Sequence, residues 1–445
     1  MGNKCIIGWT VLSLLLFFQS GTAQKRFQYS DFEKNEACRQ CHVDFYFQYR
    51  QAMMSQAYTH SWDEIEYFKL ALPHAKIDPK VADIEAGCNS CHTPMAFVTG
   101  DIPPKPPADN TRANEAVTCD ICHIIQGFKG DVPFNANYIL NPGKTKYGPR
   151  PGVKSPHHNT EYSDFVKTTE FCGTCHNERS PYGAWVKSTQ LEWKEGPYSK
   201  QGVRCQDCHM PAAPGTNAKM GVKHPDVHQH LFHGAHDPGK VRGVIEMRMY
   251  PNEDEVEPGG TVVISVVLHN AKAGHKVPTG SAEERELWLH VEAVDAEGLR
   301  YHLRVDPKGF AGEEYTIASD TALAYQDMGP VLGIKDFRGI KRDSAPAGDR
   351  IFRLPYLDPQ GRMTIMQWNT KSFGPDYRIG PRETKIETFT WEVPEDIPAG
   401  KVYVKATLNY SKLVKTVADF LGVPEEESRP VLVNTAETWF TVVDY

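Results

Sequence analysis

The chain has 445 residues, of which 40% are hydrophobic and 24% charged, with a formal net charge of −7. That length accommodates two or three domains, and the balance of apolar and charged residues is that of a globular rather than a disordered chain. The acidic balance argues against nucleic acid as a partner.

The first 23 residues read as a secretory leader: Lys4, an apolar run over residues 6–18, then the small and polar Ser20, Gly21, Thr22 and Ala23. The run is shorter than the roughly 20 residues a membrane-spanning helix needs. Cleavage after Ala23 would leave Gln24 first; the rival reading is an uncleaved N-terminal anchor. Cys5 precedes the apolar run, where it cannot serve as a lipobox cysteine. Export predicts a periplasmic or extracellular protein with no membrane span once the leader is removed.

From residue 38 onward one pattern occurs five times. Cys38-Arg39-Gln40-Cys41-His42 is the first copy; the others run from Cys88 through Cys91 to His92, from Cys119 through Cys122 to His123, from Cys172 through Cys175 to His176, and from Cys205 through Cys208 to His209. Cys-x-x-Cys-His is the attachment motif of c-type haem. Two thiols add to the two vinyl groups of one macrocycle, and the next residue becomes its proximal iron ligand. Paired Cys-x-x-Cys units could instead hold zinc. However, ten of the eleven cysteines fall in the five motifs, each followed by His, and the eleventh lies in the leader. The expectation is five covalent haems, with no mature cysteine left for a disulfide or a separate metal site.

All five motifs lie before residue 210, so the chain divides by composition. Within residues 24–240, the aromatic-rich segments 44–50 and 62–72 predict helices. Elsewhere regular structure should be sparse, because bound haem supplies much of the apolar core. The Pro- and Gly-rich stretches 102–107 and 141–156 predict loops, either wrapping haem edges or serving as plain surface linkers. The proximal ligands are His42, His92, His123, His176 and His209. Thirteen other histidines remain, enough for bis-His ligation of most or all irons. His60 lies on a probable helix after the first motif, and His158 beside His157 precedes the fourth. The dense run His228-Gln229-His230-Leu231-Phe232-His233-Gly234-Ala235-His236 offers His230 and His233 first, with His236 as a possible addition and a surface metal patch as the rival reading. His74 reads rather as a surface histidine, and Met53, Met54, Met95 and Met220 as packing residues.

With these motifs in view the chain resembles the multihaem c-type cytochromes of the cytochrome c-552/c-554 kind, a broad group that includes pentahaem nitrite reductases and octahaem hydroxylamine- and tetrathionate-converting enzymes. Besides the five motifs, the resemblance rests on three contexts. One is Trp193 and Gly196-Pro197-Tyr198 leading into the segment 202–211. The others are His230-Leu231-Phe232-His233-Gly234 and Ala273-Gly274-His275-Lys276-Val277-Pro278-Thr279-Gly280. It implies a distal ligand in the second context and a candidate ligand, His275, in the third. One departure bears on catalysis. The pentahaem nitrite reductases commonly carry Lys in place of the proximal His at the catalytic haem, and here all five motifs end in His.

Beyond residue 240 the periodicity changes. Segments 241–250, 261–268, 286–294, 387–393, 401–408 and 438–443 alternate apolar and polar residues between Gly/Pro turns, which predicts a β-sandwich. Residues 414–428 predict a short helix entering an acidic turn, while 305–385 is too aperiodic to place. No catalytic motif appears here, so this half reads as a structural or docking module. His275 is the exception, as a residue that could cross the boundary to an iron. The expected class is therefore α+β: a mostly helical and loop-rich multihaem cytochrome c region over 24–240, followed by a C-terminal β-sandwich over 241–445. The leading functional expectation is an exported pentahaem electron carrier, serving redox partners such as a quinol-linked membrane complex or a terminal reductase. The rivals are an oxidoreductase acting on a small nitrogen or sulfur compound at one open haem, and an extracellular conduit subunit. An oligomer is compatible with each.

Overall fold

The computed structural model describes residues 27–444, and the leader expected over residues 1–23 lies outside them. Among the described residues no helix is long and apolar enough to cross a membrane.

The N-terminal part is built from short helices, and these carry the motifs. Helices Ile84–His92, Cys119–His123, Thr169–His176 and Cys205–His209 each end on a motif histidine, while His42 caps the start of helix Val43–Arg50. A helical Cys-x-x-Cys step suits the attachment, because residues three apart share one helix face. Thr118 and Thr168 start two of these helices, their hydroxyls accepting hydrogen bonds from the backbone N–H of Ile121 and Phe171. Predicted segment 62–72 forms a helix over Ser61–Ile65 that continues as a π-helical stretch, Glu66–Ala71, and then as helix Leu72–Ile77. The expected loop over 141–156 is only partly one. Its Thr145–Gly148 forms a strand that pairs in parallel with Asn159–Tyr162, a contact too short to show any period in the sequence.

The C-terminal part is a sandwich of nine strands: β1 Ile245–Pro251, β2 Glu255–Val256, β3 Thr261–Asn270, β4 Glu286–Val294, β5 Arg300–Leu303, β6 Arg350–Ile351, β7 Thr384–Glu392, β8 Gly400–Ser411 and β9 Val431–Val442. One sheet runs β7-β3-β1. The other runs β2-β9-β8-β4-β5, with β6 also paired to β4. Alternation along β3 is strict: Val262, Ile264, Val266 and Leu268 are fully buried. They meet Leu287, Leu289 and Val291 of β4, and Val402, Val404 and Leu408 of β8, in a single core. Each such side chain contributes about 1.5–3 kcal/mol by leaving water. The α+β class expected from the sequence is the observed one.

The aperiodic stretch over 305–385 is ordered by packing rather than by pattern. Tyr325, Met363, Ile365, Met366 and Trp368 join Leu413–Val423 residues in a core that also contains Trp62, Tyr67, Leu70, Leu72 and Ile84. The indole N–H of Trp368 donates to Nδ1 of buried His74 at 3.0 Å. The two halves of the chain therefore share one apolar core beside the second motif.

Candidate haem centres

Each motif histidine must present one ring nitrogen to an iron, and the other nitrogen sets the ring's orientation. In four of the five motifs Nδ1 is held by a backbone carbonyl. His42 donates to Asn217 O (2.5 Å), His92 to Ala57 O (2.7 Å), His123 to Tyr147 O (2.8 Å) and His209 to His233 O (2.6 Å). Nε2 is thereby left for a metal.

Three other imidazoles face these rings. His158 lies opposite His42 with ring centroids 6.2 Å apart, His230 opposite His123 at 6.2 Å, and His275 opposite His209 at 6.4 Å. Two imidazoles that share one metal through bonds of about 2.0 Å each have centroids a little over 6 Å apart once the ring radii are added. The three facing rings also turn Nδ1 toward a backbone carbonyl: His158 to Asn159 O, His230 to His228 O and His275 to Lys276 O. The residues present thus fit a haem iron held between two Nε2 atoms at each of these positions.

Local structure explains how each facing ring is placed. The backbone N–H of His158 and that of His157 donate to Ser155 Oγ. The backbone N–H of His230 donates to Gln48 Oε1 at 2.8 Å, and its ring packs 4.4 Å from Phe45. His275 rides on the loop between β3 and β4. Buried Glu192 clamps that loop, accepting from the Lys276 N–H and the Thr279 hydroxyl while pairing with Arg378 at 2.7 Å.

His60 and His233 have carboxylate partners. His60 is held by two carboxylates, Nδ1 by Asp63 at 3.0 Å and Nε2 by Glu427 at 3.1 Å. Burial opposes its protonation, but the two carboxylates outweigh it and raise its pKa to about 9. His233 pairs through Nδ1 with Asp237 at 2.9 Å and uses its carbonyl to orient His209. Met95 is buried with Phe32, Ile121 and Ile124, whereas Met220 is exposed.

The spatial order of the motifs follows their sequence order only in part. The Cys38 thiol faces Cys119, Cys91 faces Cys175, and Cys172 faces Cys205. The first attachment site therefore adjoins the third, the second adjoins the fourth, and the fourth adjoins the fifth.

Among the described residues no second imidazole faces His92 or His176 at this spacing. A buried charged group stands beside them instead. Lys187 and Glu178 are cross-strand partners joined by a 2.7 Å ion pair, and the Lys187 charge acts on both His92 and His176. Burial works against that charge, yet Glu178 and Glu66 hold the Lys187 pKa above its usual value. Burial, reinforced by Glu284, pushes the carboxyls of Glu66 and Glu283 well up. One oxygen of Glu66 and both of Glu283 are buried without a hydrogen-bond partner. None of these residues has a local sequence signal, since they come from four separate segments.

His92 differs in a second way: its Nδ1 also meets Asp63 Oδ1 at 3.1 Å. A carboxylate on the far nitrogen makes an imidazole a stronger electron donor to its metal. Asp63→Asn should raise the potential of the haem attached at Cys88 and Cys91 by about 60 mV, the equivalent of about 1.4 kcal/mol for one electron. Spectroelectrochemical titration of the haem-loaded variant tests this, and five unchanged potentials would exclude the role.

Comparison with known proteins points to a haem protein. The family model "Cytochrome c554 and c-prime" matches residues 37–124, and that of the NapC/NirT cytochrome c family, N-terminal region, matches residues 154–246. No curated protein matches the chain. Among solved structures, a penta-heme cytochrome c552 from Thermochromatium tepidum shares the fold. It has a TM-score of 0.60 and 20% identity, over 92% of this chain and 99% of that one. The CARDB domain of a Pyrococcus furiosus protein, in complex with di-metal ions, aligns with a TM-score of only 0.19 and 13% identity, over 45% of this chain and 91% of that one. Motifs, site geometry and family models together define a class: the chain is a multihaem c-type cytochrome. It carries covalently bound c-type haem, and its family resemblances imply electron transfer with redox partners.

Proposed function

We propose that the chain is an exported pentahaem electron carrier of the periplasm or the cell exterior, with one haem at each Cys-x-x-Cys-His motif. The observation that carries this reading is the set of three imidazole pairs, His42 with His158, His123 with His230 and His209 with His275. Rings held at that spacing support six-coordinate centres that hand on electrons without binding a substrate. Haem supplies the one-electron chemistry when bound. The chain's own residues attach it, orient the ligand rings through their Nδ1 carbonyl bonds, and bring the attachment sites side by side. A quinol-linked membrane complex and a terminal reductase are partners of the required kind, and contacts between such partners can be small.

A second reading rests on a different observation. His92 and His176 have no facing imidazole among the described residues; the Lys187 charge acts on both, and Glu66 and Glu283 act on Lys187. That combination suits an open centre that reduces or oxidises a small nitrogen or sulfur compound, with the carboxyls holding protons. Electron paramagnetic resonance of the oxidised, haem-loaded protein separates the two. A carrier gives only low-spin signals, inert to nitrite, hydroxylamine and carbon monoxide. A high-spin signal that responds to these ligands assigns an open centre, and loss of that response in Lys187→Met or Glu66→Gln would place it beside Lys187.

A further inference from the structure

The outer face of the sandwich carries a cluster that the haem region does not use. His290 lies on β4, whose Leu289 and Val291 point into the core, so His290 points outward. His302 lies on β5 opposite Glu292, two residues along the same face. This diagonal relation across an antiparallel pair brings side chains within reach of each other, and the two rings lie 4.8 Å apart. Asp349 enters from the residue before β6, whose Arg350 pairs with Leu289 of β4. The turn ahead of it is fixed by Gly348, at φ 99°, where a β-carbon would come within 2.7 Å of the Arg304 side chain.

The Asp349 carboxylate is fully buried, while the side chains of His290 and His302 keep 27% and 32% of their surface exposed. Nδ1 of His290 stands 3.0 and 3.1 Å from the two carboxylate oxygens, and Nε2 of His302 stands 2.7 Å from one of them. Among the described residues no lysine or arginine pairs with Asp349. Its side-chain partners are the two imidazoles. All three ligand atoms lie within 4.8 Å of one another, and the site opens to solvent on the imidazole side.

We propose that His290, His302 and Asp349 bind one divalent transition-metal ion of the zinc type, through Nδ1, Nε2 and a carboxylate oxygen, with water completing the shell. Imidazole and carboxylate suit zinc and its first-row neighbours, and geometry rather than raw affinity selects among them. The ion would pin β4, β5 and the turn before β6 together on a face remote in sequence from every haem motif.

The test uses the full haem-loaded protein, stripped with a chelator, dialysed, and titrated with zinc by calorimetry, with zinc and iron counted by elemental analysis. The expected result is one tight zinc per chain. In His302→Ala and His290→Ala, that zinc binds about 100-fold more weakly or worse, since direct ligands matter at least as much as their outer partners. Absorption spectra confirm that both variants retain their haems. As an independent readout, zinc raises the melting temperature of the parent protein but not that of the variants. If no zinc binds, or if stoichiometry and affinity survive in both variants because zinc sits at another histidine cluster such as His60 and His236, the assignment is wrong.

Discussion

Replacing His275 with alanine converts one low-spin haem signal to a high-spin one and raises that centre's potential by on the order of 100 mV. Axial ligation is the strongest lever on haem potential, spanning about 0.8 V across ligand types. His275 is the residue of the β-rich half whose ring faces a motif histidine, 6.4 Å from His209 and inclined by only 15°. Its loop is held independently by Asn270, which donates to the His275 carbonyl, and by Glu192. The loop should therefore keep its course when the ring is removed. The change is read by electron paramagnetic resonance and by carbon monoxide binding at the newly open position. Spectra identical to those of the parent would remove His275 from the set of ligands. Equivalent changes are expected from His158→Ala and His230→Ala, each at a different centre.

Arg350→Ala should cost about 3–5 kcal/mol of stability, the range for breaking a buried ion pair from one side. Arg350 is fully buried between Glu387 at 3.0 Å and Glu313 at 3.1 Å, and it donates a further 2.9 Å hydrogen bond to Thr316. Truncation leaves the Glu387 carboxylate inside the sandwich with Lys308, at 3.2 Å, and the Tyr377 hydroxyl as remaining partners. The measurement is denaturant unfolding followed by circular dichroism. As a control, Lys405→Ala removes an ion pair to Glu437 that is open to solvent on both sides, and it should change stability by no more than about 1 kcal/mol. Equal effects from the two substitutions would contradict the assignment of Arg350 as the buried keystone of that face.

The haem attachment sites are legible in sequence because their chemistry is local: two thiols and one imidazole must sit within five residues. The sandwich is legible for a similar reason, since strands such as β3 and β8 write their burial as strict alternation. The facing ligands depend on contacts distant in sequence. The sequence nominates His158, His230 and His275 together with His60 and His233. Only the fold shows that carboxylates from Asp63 and Glu427 claim His60. The shared core was hidden because Tyr325, Met363 and Trp368 are buried through irregular backbone, held by side-chain bonds such as that of Asp327 with Thr364 and Asn369. No helical or strand period marks such residues. The grouping of Lys187, Glu66 and Glu283 was hidden because a strand, a helix and the segment before β4 bring them together only in the fold.

The most direct test of the account is the number of haems per chain in the purified protein, measured by pyridine haemochrome after extraction with acidified acetone. Five haems that resist extraction, one for each Cys-x-x-Cys-His motif, is the predicted result. Fewer than five, or haem that leaves with the solvent, would contradict a pentahaem carrier built on all five motifs.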